Sequence, residues 1–162
     1  MPIDLDHSSG EQDWIKRGRV VPSRVLVAGF DATHARVTAA DSTTDEAFHA
    51  IIEALAWIGV LRDRMKQEKR PIPETLYGLY FVRNLALHAG ADVLAWISST
   101  YGSGTYGSGA YGGQGRVWQW PAYDELPRPQ SNTGLSDYKK HVAGHDVADV
   151  LAAVSNEISQ LR

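Results

Sequence analysis

The chain has no cysteine among its 162 residues. Disulfide bonds and thiolate metal ligands are therefore excluded, and so is a small secreted scaffold held together by disulfides. A metal site would have to use histidine, aspartate and glutamate. His141, His145, Asp146 and Asp149 lie close in sequence, but Gly144 interrupts the helix that would hold them, so we predict neither a metal nor another cofactor.

Long hydrophobic runs are also missing. No apolar stretch approaches the roughly 18 residues that a membrane-spanning helix needs. The first residues include Asp4, Asp6, Glu11 and Asp13, whereas a signal peptide begins with basic residues. We therefore expect no membrane segment and a cytoplasmic location.

The chain lacks a large excess of either charge, since 16 basic and 19 acidic residues give a net charge of -3. Proteins that bind nucleic acids usually carry a strong basic balance or a basic face. Contact with RNA would depend on a local patch, and one such patch closes the second predicted helix. Its members are Arg62, Arg64, Lys66, Lys69 and Arg70. These residues fit either a solvated helix end or a contact with the RNA backbone.

Length and composition predict one globular domain, with 43% hydrophobic and 22% charged residues. Residues 1–20 are expected to be coil and residues 21–162 a single helical domain. Within that domain, residues 99–134 form an insertion that starts with a repeat of tyrosine and glycine at 101–115. So much glycine disfavours regular structure, which predicts a flexible segment. Alternatively, its tyrosines stack on RNA bases or bind a partner.

Local signals place the helices. Apolar residues recur at helical spacing after Pro22, although residues 25–27 would also suit a strand. Thr43 and Glu46 form a capping box before a long helix, and Pro73 fits the first turn of the next one. We expect the apolar residues along one face of that helix, its apolar seam, to continue to Trp96. After a short strand or extended strap at 116–121, Asp146 is expected to cap the last helix.

The helix that begins near Pro73 carries Arg83, Asn84 and His88 within two turns. Cleavage of RNA without a metal needs a base, an acid and positive charge on the phosphate. An imidazole can serve as acid or base, and a guanidinium can bind two phosphate oxygens. Asn84 can orient His88. The competing interpretation is that Arg83 pairs with an acidic neighbour and His88 is a buried, hydrogen-bonded histidine.

Helical spacing places Tyr77, Phe81, Asn84 and His88 on a stripe opposite the apolar seam. Because that stripe is also largely apolar, it should be covered by another helix or by a second copy of the chain. A dimer interface is the natural candidate.

The pattern Arg-Asn-x-x-x-His, on a helix that follows Glu53-Ala-Leu-Ala-Trp57, resembles that of HEPN domains. The resemblance covers residues 22–98 and 135–162. Residues 116–127, with Trp118-x-Trp120 and an Asp-Glu-Leu-Pro ending, are also similar to a segment in some bacterial HEPN-like proteins. It implies an all-α bundle of four to five helices with the Gly/Tyr-rich insertion before the last helices. It does not extend to the tyrosine that some relatives carry after the histidine, because Ala89 and Gly90 follow His88 here.

The resemblance also implies a function. HEPN enzymes are often metal-independent endoribonucleases, and Arg83, Asn84 and His88 match their catalytic pattern. An acidic residue on the preceding helix, here Glu53, would lie near the motif, although a solvated glutamate is equally compatible with the sequence. Motifs paired across a homodimer, an RNA substrate, a toxin or defence role and an antitoxin partner are further expectations. The alternative is a non-catalytic module that binds RNA, a nucleotide or a protein.

Overall fold

The computed structural model describes residues 21–39, 44–89, 95–98, 116–127, 129 and 131–161. These residues form five α-helices, which are α1 (Ser23–Val37), α2 (Thr44–Gln67), α3 (Glu74–Ala89), α4 (Leu135–His141) and α5 (Val147–Ile158). Two short strands, β1 (Ala95–Ser98) and β2 (Arg116–Gln119), make one antiparallel pair. Turns of 3-10 helix span Tyr123–Glu125 and Ser159–Leu161. The prediction of a mainly helical protein is confirmed.

Three predictions fall on other parts of the chain. The N-terminal coil at 1–20, the capping residue Thr43 and the Tyr-Gly repeat at 101–115 all lie outside the described residues. Within the described ranges, no helix combines the length and the hydropathy that a membrane span requires.

Helix α2 packs against α1 on one side and against α3 on another, while α5 contacts α1 and α3. Together they enclose one hydrophobic core. Its fully buried members on α2 include Ile51, Ile58, Leu61 and Met65. Burial of an aliphatic side chain of this size contributes about 1.5–3 kcal/mol to the stability of the fold. The shared core therefore holds the helices together.

Local sequence signals set several helix ends as predicted. Helix α3 begins at Glu74, directly after Pro73. Asp146 caps α5, and its carboxylate accepts a hydrogen bond from the Ala148 amide at 2.7 Å. Two residues after the end of α2 at Gln67, Lys69 lies in the left-handed region at φ 54°. The Arg70 amide then donates to the Met65 carbonyl at 2.9 Å, which closes the helix end.

The prediction that α3 continues to Trp96 was wrong. The helix ends at Ala89, and Trp96 lies in β1 opposite Trp118 of β2; Val93 is outside the described residues. A short apolar run fits helical and strand periods equally well. Its partner strand comes about twenty residues later, where local spacing gives no signal.

A short strand or an extended strap was predicted at 116–121; residues 116–119 form the strand β2, and Trp120 and Pro121 continue from it as a strap. Trp120 is fully buried, and its backbone amide donates to the His145 carbonyl at 3.0 Å. The Gly144 amide donates back to the Trp120 carbonyl at 2.9 Å, and the Tyr138 hydroxyl donates to the Pro121 carbonyl at 2.5 Å. The strap is therefore fastened to α4 and to the turn before α5.

The second apolar side of α3 is covered by α4 of the same chain. Phe81 is buried, and its ring centroid lies 5.3 Å from that of Tyr138. Gly78 allows this close approach, because a Cβ there would lie 2.8 Å from Cγ2 of Val142. The sequence predicted that either another helix or a second copy of the chain covers this side, and around Phe81 it is another helix. Further along α3, Leu87 remains 64% exposed.

One acidic side chain, that of Glu157, is half-buried where α3 and α5 meet. Oε1 of Glu157 accepts a hydrogen bond from the Thr75 hydroxyl at 3.0 Å. Its other oxygen is buried and has no partner among the described residues. Burial raises the pKa of Glu157 above its usual value, because an ionised carboxylate loses hydration there.

Glu157→Gln is expected to stabilise the fold by at most about 1 kcal/mol at neutral pH, because a neutral amide avoids the cost of partly burying a carboxylate and solvent screens part of that cost. The folded state of the wild type holds the proton more tightly than the unfolded state. The contribution of Glu157 to wild-type stability therefore falls as pH rises from about 4, near the unfolded pKa, through the raised folded pKa. Urea unfolding at both ends of this range measures the difference. An advantage of the variant that grows towards acidic pH would contradict this explanation.

Candidate functional site

Arg83 lies between α3 and α2, opposite Gly59. A Cβ atom at position 59 would be 3.0 Å from Nε of Arg83 and 3.4 Å from its Cζ. Because glycine has no side chain, the guanidinium can lie directly against α2. Arg83 is half-buried in this position.

The contacts of Arg83 leave its charge without an acidic partner among the described residues. Nη1 donates to Oδ1 of Asn84 at 2.9 Å. The guanidinium carbon also lies 5.8 Å from the ring centroid of Tyr80, a distance at which a cation and an aromatic face attract each other. The competing interpretation, an ion pair between Arg83 and an acidic neighbour, finds no such neighbour in the described ranges.

The other two motif residues share the helix with Arg83. Asn84 is half-buried and uses its amide oxygen to accept from Arg83, which leaves its amide NH₂ group for another acceptor. His88 belongs to the last turn of α3, and its side chain lies outside the described part of the structure. The predicted contact between Asn84 and His88, one turn apart, stays a prediction.

Arg83 forms part of the wall of a groove between α2 and α3. The cavity measures about 360 Å³, within the range of roughly 300–1,000 Å³ that small-ligand sites occupy. Its wall is mainly apolar, with Arg83 and His49 as the members that carry or can acquire positive charge. The lining residues are Phe48, His49, Ile52, Leu55, Ala56, Arg83, Ala86 and Leu87.

His49 and the aromatic Phe48 are groove residues that our sequence analysis missed. A weak signal exists, because His49, Ile52, Ala56 and Gly59 follow one another at helical spacing along one face of α2. Nothing local indicates that this face meets the second half of α3. The groove depends on how two helices pack, so its lining could not be derived from motif spacing.

Glu53 lies on α2 but binds residues of α1. Its carboxylate pairs with Arg36, and Oε1 accepts from the Thr33 hydroxyl at 3.2 Å. The hydrogen bond from Arg36 holds the pKa of Glu53 below its usual value. Glu53 is neither a groove-lining residue nor a described partner of Arg83, so its charge serves the contact between α1 and α2.

The predicted basic patch is divided among different contacts. The guanidinium of Arg62 stacks on the Tyr80 ring, 4.1 Å from its centroid, and pairs with Asp63 at 2.9 Å. Arg64 pairs with Glu68 at 3.4 Å and also donates to the Val21 carbonyl. These two arginines therefore have intramolecular roles, and each is largely buried.

The remaining members of the patch lie at the end of α2. Arg70 pairs with Glu68 at 3.0 Å, while Lys66 and Lys69 are exposed. The two lysines are thus the members of the patch whose charge is open to solvent and for which no ion pair is described.

Lys140 and His141, near the end of the chain, share one acidic partner. Nε2 of His141 lies 2.6 Å from Oε2 of Glu74, and that oxygen also accepts from Lys140 at 3.1 Å. Hydrogen bonds from Lys140 and His141 keep the pKa of Glu74 below its usual value. In the part of the chain that the structure describes, no group of three or more histidine or acidic residues could hold a metal ion.

No family model, curated protein or solved structure matches this chain. The resemblance to HEPN domains accordingly depends on the motif residues themselves.

Gly59→Ala should displace Arg83 without unfolding the protein. The new Cβ meets the mobile end of a long side chain, and alanine favours a helix by up to about 1 kcal/mol over glycine. We expect unchanged or slightly higher stability in urea, together with a shifted Nε–Hε NMR signal of Arg83.

Gly29→Ala is the matched control, since its Cβ would lie 2.5 Å from the rigid ring of Trp57. Here we expect a loss of about 1–3 kcal/mol with the Arg83 signal unchanged. Equal losses of stability in both variants, or an unmoved Arg83 signal in Gly59→Ala, would contradict this description of the site.

Proposed function

We propose that this protein is a metal-independent endoribonuclease of HEPN type, which cleaves RNA bound in the groove between α2 and α3. The supporting observation is the half-buried Arg83, which lines the groove and has no acidic partner among the described residues. A guanidinium beside an apolar wall attracts a phosphate more strongly than one in open water.

Arg83, Asn84 and His88 have separate roles in the proposed reaction. The 2'-oxygen forms a bond to phosphorus, and its proton passes to a histidine that acts as base. The bond from phosphorus to the 5'-oxygen breaks, and that oxygen takes a proton from an acid. Arg83 stabilises the extra negative charge on the phosphate oxygens in between. The products are a 2',3'-cyclic phosphate and a 5'-hydroxyl.

The proposed active site includes a second copy of the chain. One motif offers one histidine, whereas the reaction needs an acid and a base on opposite sides of the phosphate. A homodimer that brings the partner's His88 to the site would supply both. The 64% exposure of Leu87, next to His88 in sequence, supports such a contact, because a large exposed apolar side chain gains from being covered.

The biological setting follows from the same proposal. In this proposal the enzyme acts in the cytoplasm as a toxin or defence protein, and an antitoxin holds it inactive because unrestrained RNA cleavage would harm the cell. Lys66 and Lys69 are exposed and would contact the backbone of the RNA outside the groove.

A second candidate function is RNA or nucleotide binding without cleavage. The mainly apolar lining of the groove favours it, because such a wall holds a ligand by contact and supplies few groups for chemistry. The two functions differ in whether bound RNA is converted to product.

RNA cleavage in the presence of a chelator tests the proposal. Wild type should release fragments that end in 2',3'-cyclic phosphate. Arg83→Ala and His88→Ala should each lower the rate at least about 100-fold, because they remove charge stabilisation and proton transfer, and Asn84→Ala should lower it less. Arg24→Gln, an exposed position on α1, is the matched control and should leave the rate unchanged.

Equal cleavage by wild type, Arg83→Ala and His88→Ala would refute the ribonuclease proposal. Binding that weakens with salt but never yields product would instead select the non-catalytic function.

A further inference from the structure

We propose that the Phe48 end of the groove is a base-stacking subsite, which takes an unpaired nucleobase from the RNA strand whose phosphate Arg83 binds. This inference rests on the proposed function and adds to it a determinant of which RNA is recognised. The subsite consists of Phe48 and His49 on α2, with Trp118 of β2 behind the Phe48 ring.

Phe48 and Arg83 lie at opposite ends of the groove. Gly59, the α2 residue that faces Arg83, comes eleven positions after Phe48. Eleven residues of helix span about 16 Å at a rise of 1.5 Å each. A base stacked on Phe48 therefore belongs to a nucleotide beyond the one whose phosphate contacts Arg83.

Phe48 is an aromatic residue that the core does not use. It is only partly buried, and its side chain lines the groove instead of joining the core of the described residues. Its ring centroid lies 5.9 Å from that of Trp118, with the two planes tilted by 42°. This support fixes the ring at the groove wall. A fixed aromatic face at a groove wall is a platform on which any base can stack.

Charge along the groove agrees with a phosphate at one end and a base at the other. Arg83 is cationic, whereas exposed Asp45 lies in the first turn of α2, three residues before Phe48. This carboxylate disfavours a phosphate beside Phe48 but has little effect on a neutral base. The His49 ring lies 6.1 Å from the Phe48 ring and can donate or accept a hydrogen bond at the edge of the base.

The test uses a labelled oligonucleotide with 2'-O-methyl groups, which binds but cannot be cleaved because it has no free 2'-hydroxyl. Single abasic sites are introduced at each position in turn, and affinity is measured by fluorescence anisotropy. Stacking of one base on an aromatic residue corresponds to about 5- to 150-fold in affinity. We expect wild type to lose at least about fivefold at one internal position.

Phe48→Leu should weaken binding of the intact strand by a similar factor. It should then show no further loss when the abasic site stands at that same position. Tyr123→Leu, a half-buried aromatic residue that contacts Lys139 outside the groove, is the control and should keep the wild-type pattern. Arg83→Ala should weaken every strand by the same factor.

Three results would contradict the subsite. The first is that the uncleavable strand does not bind, and the second is that no abasic position lowers its affinity. The third is that the losses of affinity from Phe48→Leu and from the abasic site multiply. If Phe48→Leu fails to fold, NOEs between the wild-type Phe48 ring and base protons decide, and their absence refutes the subsite. Cleavage of an all-ribose strand is measured separately, so the ribonuclease proposal can survive the loss of this inference.

Discussion

The candidate site depends on the contact between Arg83 and Gly59. A long cationic side chain can lie along α2 only where the helix presents bare backbone, and position 59 provides that space. The Tyr80 ring lies beneath the same guanidinium. This arrangement holds the charge of Arg83 at the groove wall instead of letting it extend freely into water, where its attraction for an anion would be weaker.

The rest of the fold keeps α3 in the position that this contact needs. Helix α4 covers the side of α3 that carries Phe81, and Gly78 lets the two helices approach closely. The strap holds α4 through the hydrogen bond from Tyr138 to Pro121. Arg62 stacks on Tyr80, the same ring that lies beneath Arg83, and so joins the second half of α2 to α3. The first part of α3 is thus enclosed, while Leu87 near its end stays open to solvent.

Features that depend on neighbours in sequence could be predicted from the sequence. The start of α3 after Pro73 and the cap of α5 at Asp146 are examples, because a helix end is decided within one turn. Helical spacing likewise placed Arg83 and Asn84 on one helix. The hydrogen bond between them was not predicted, because Asn84 was expected to orient His88 instead.

Features that depend on distant segments could not be predicted in the same way. Trp96 pairs with a strand about twenty residues away, so its helical spacing was misleading. Glu53 binds Arg36 on another helix, and His49 enters the groove only because of how α2 and α3 pack. The division of the basic patch also follows from contacts with Tyr80 and Glu68 that charge counting cannot reveal.

The central claim is that the groove beside Arg83 binds the phosphate of RNA. Its most direct test is an NMR titration of the wild type with a 2',3'-cyclic mononucleotide, the end group of the proposed product. We expect saturable shifts of the Arg83 Nε–Hε signal and of the Leu55 and Leu87 methyl groups, with Leu161, outside the groove, unaffected. Shifts confined to Lys66 and Lys69, or no shifts at all, would contradict the assignment of the groove as the binding site.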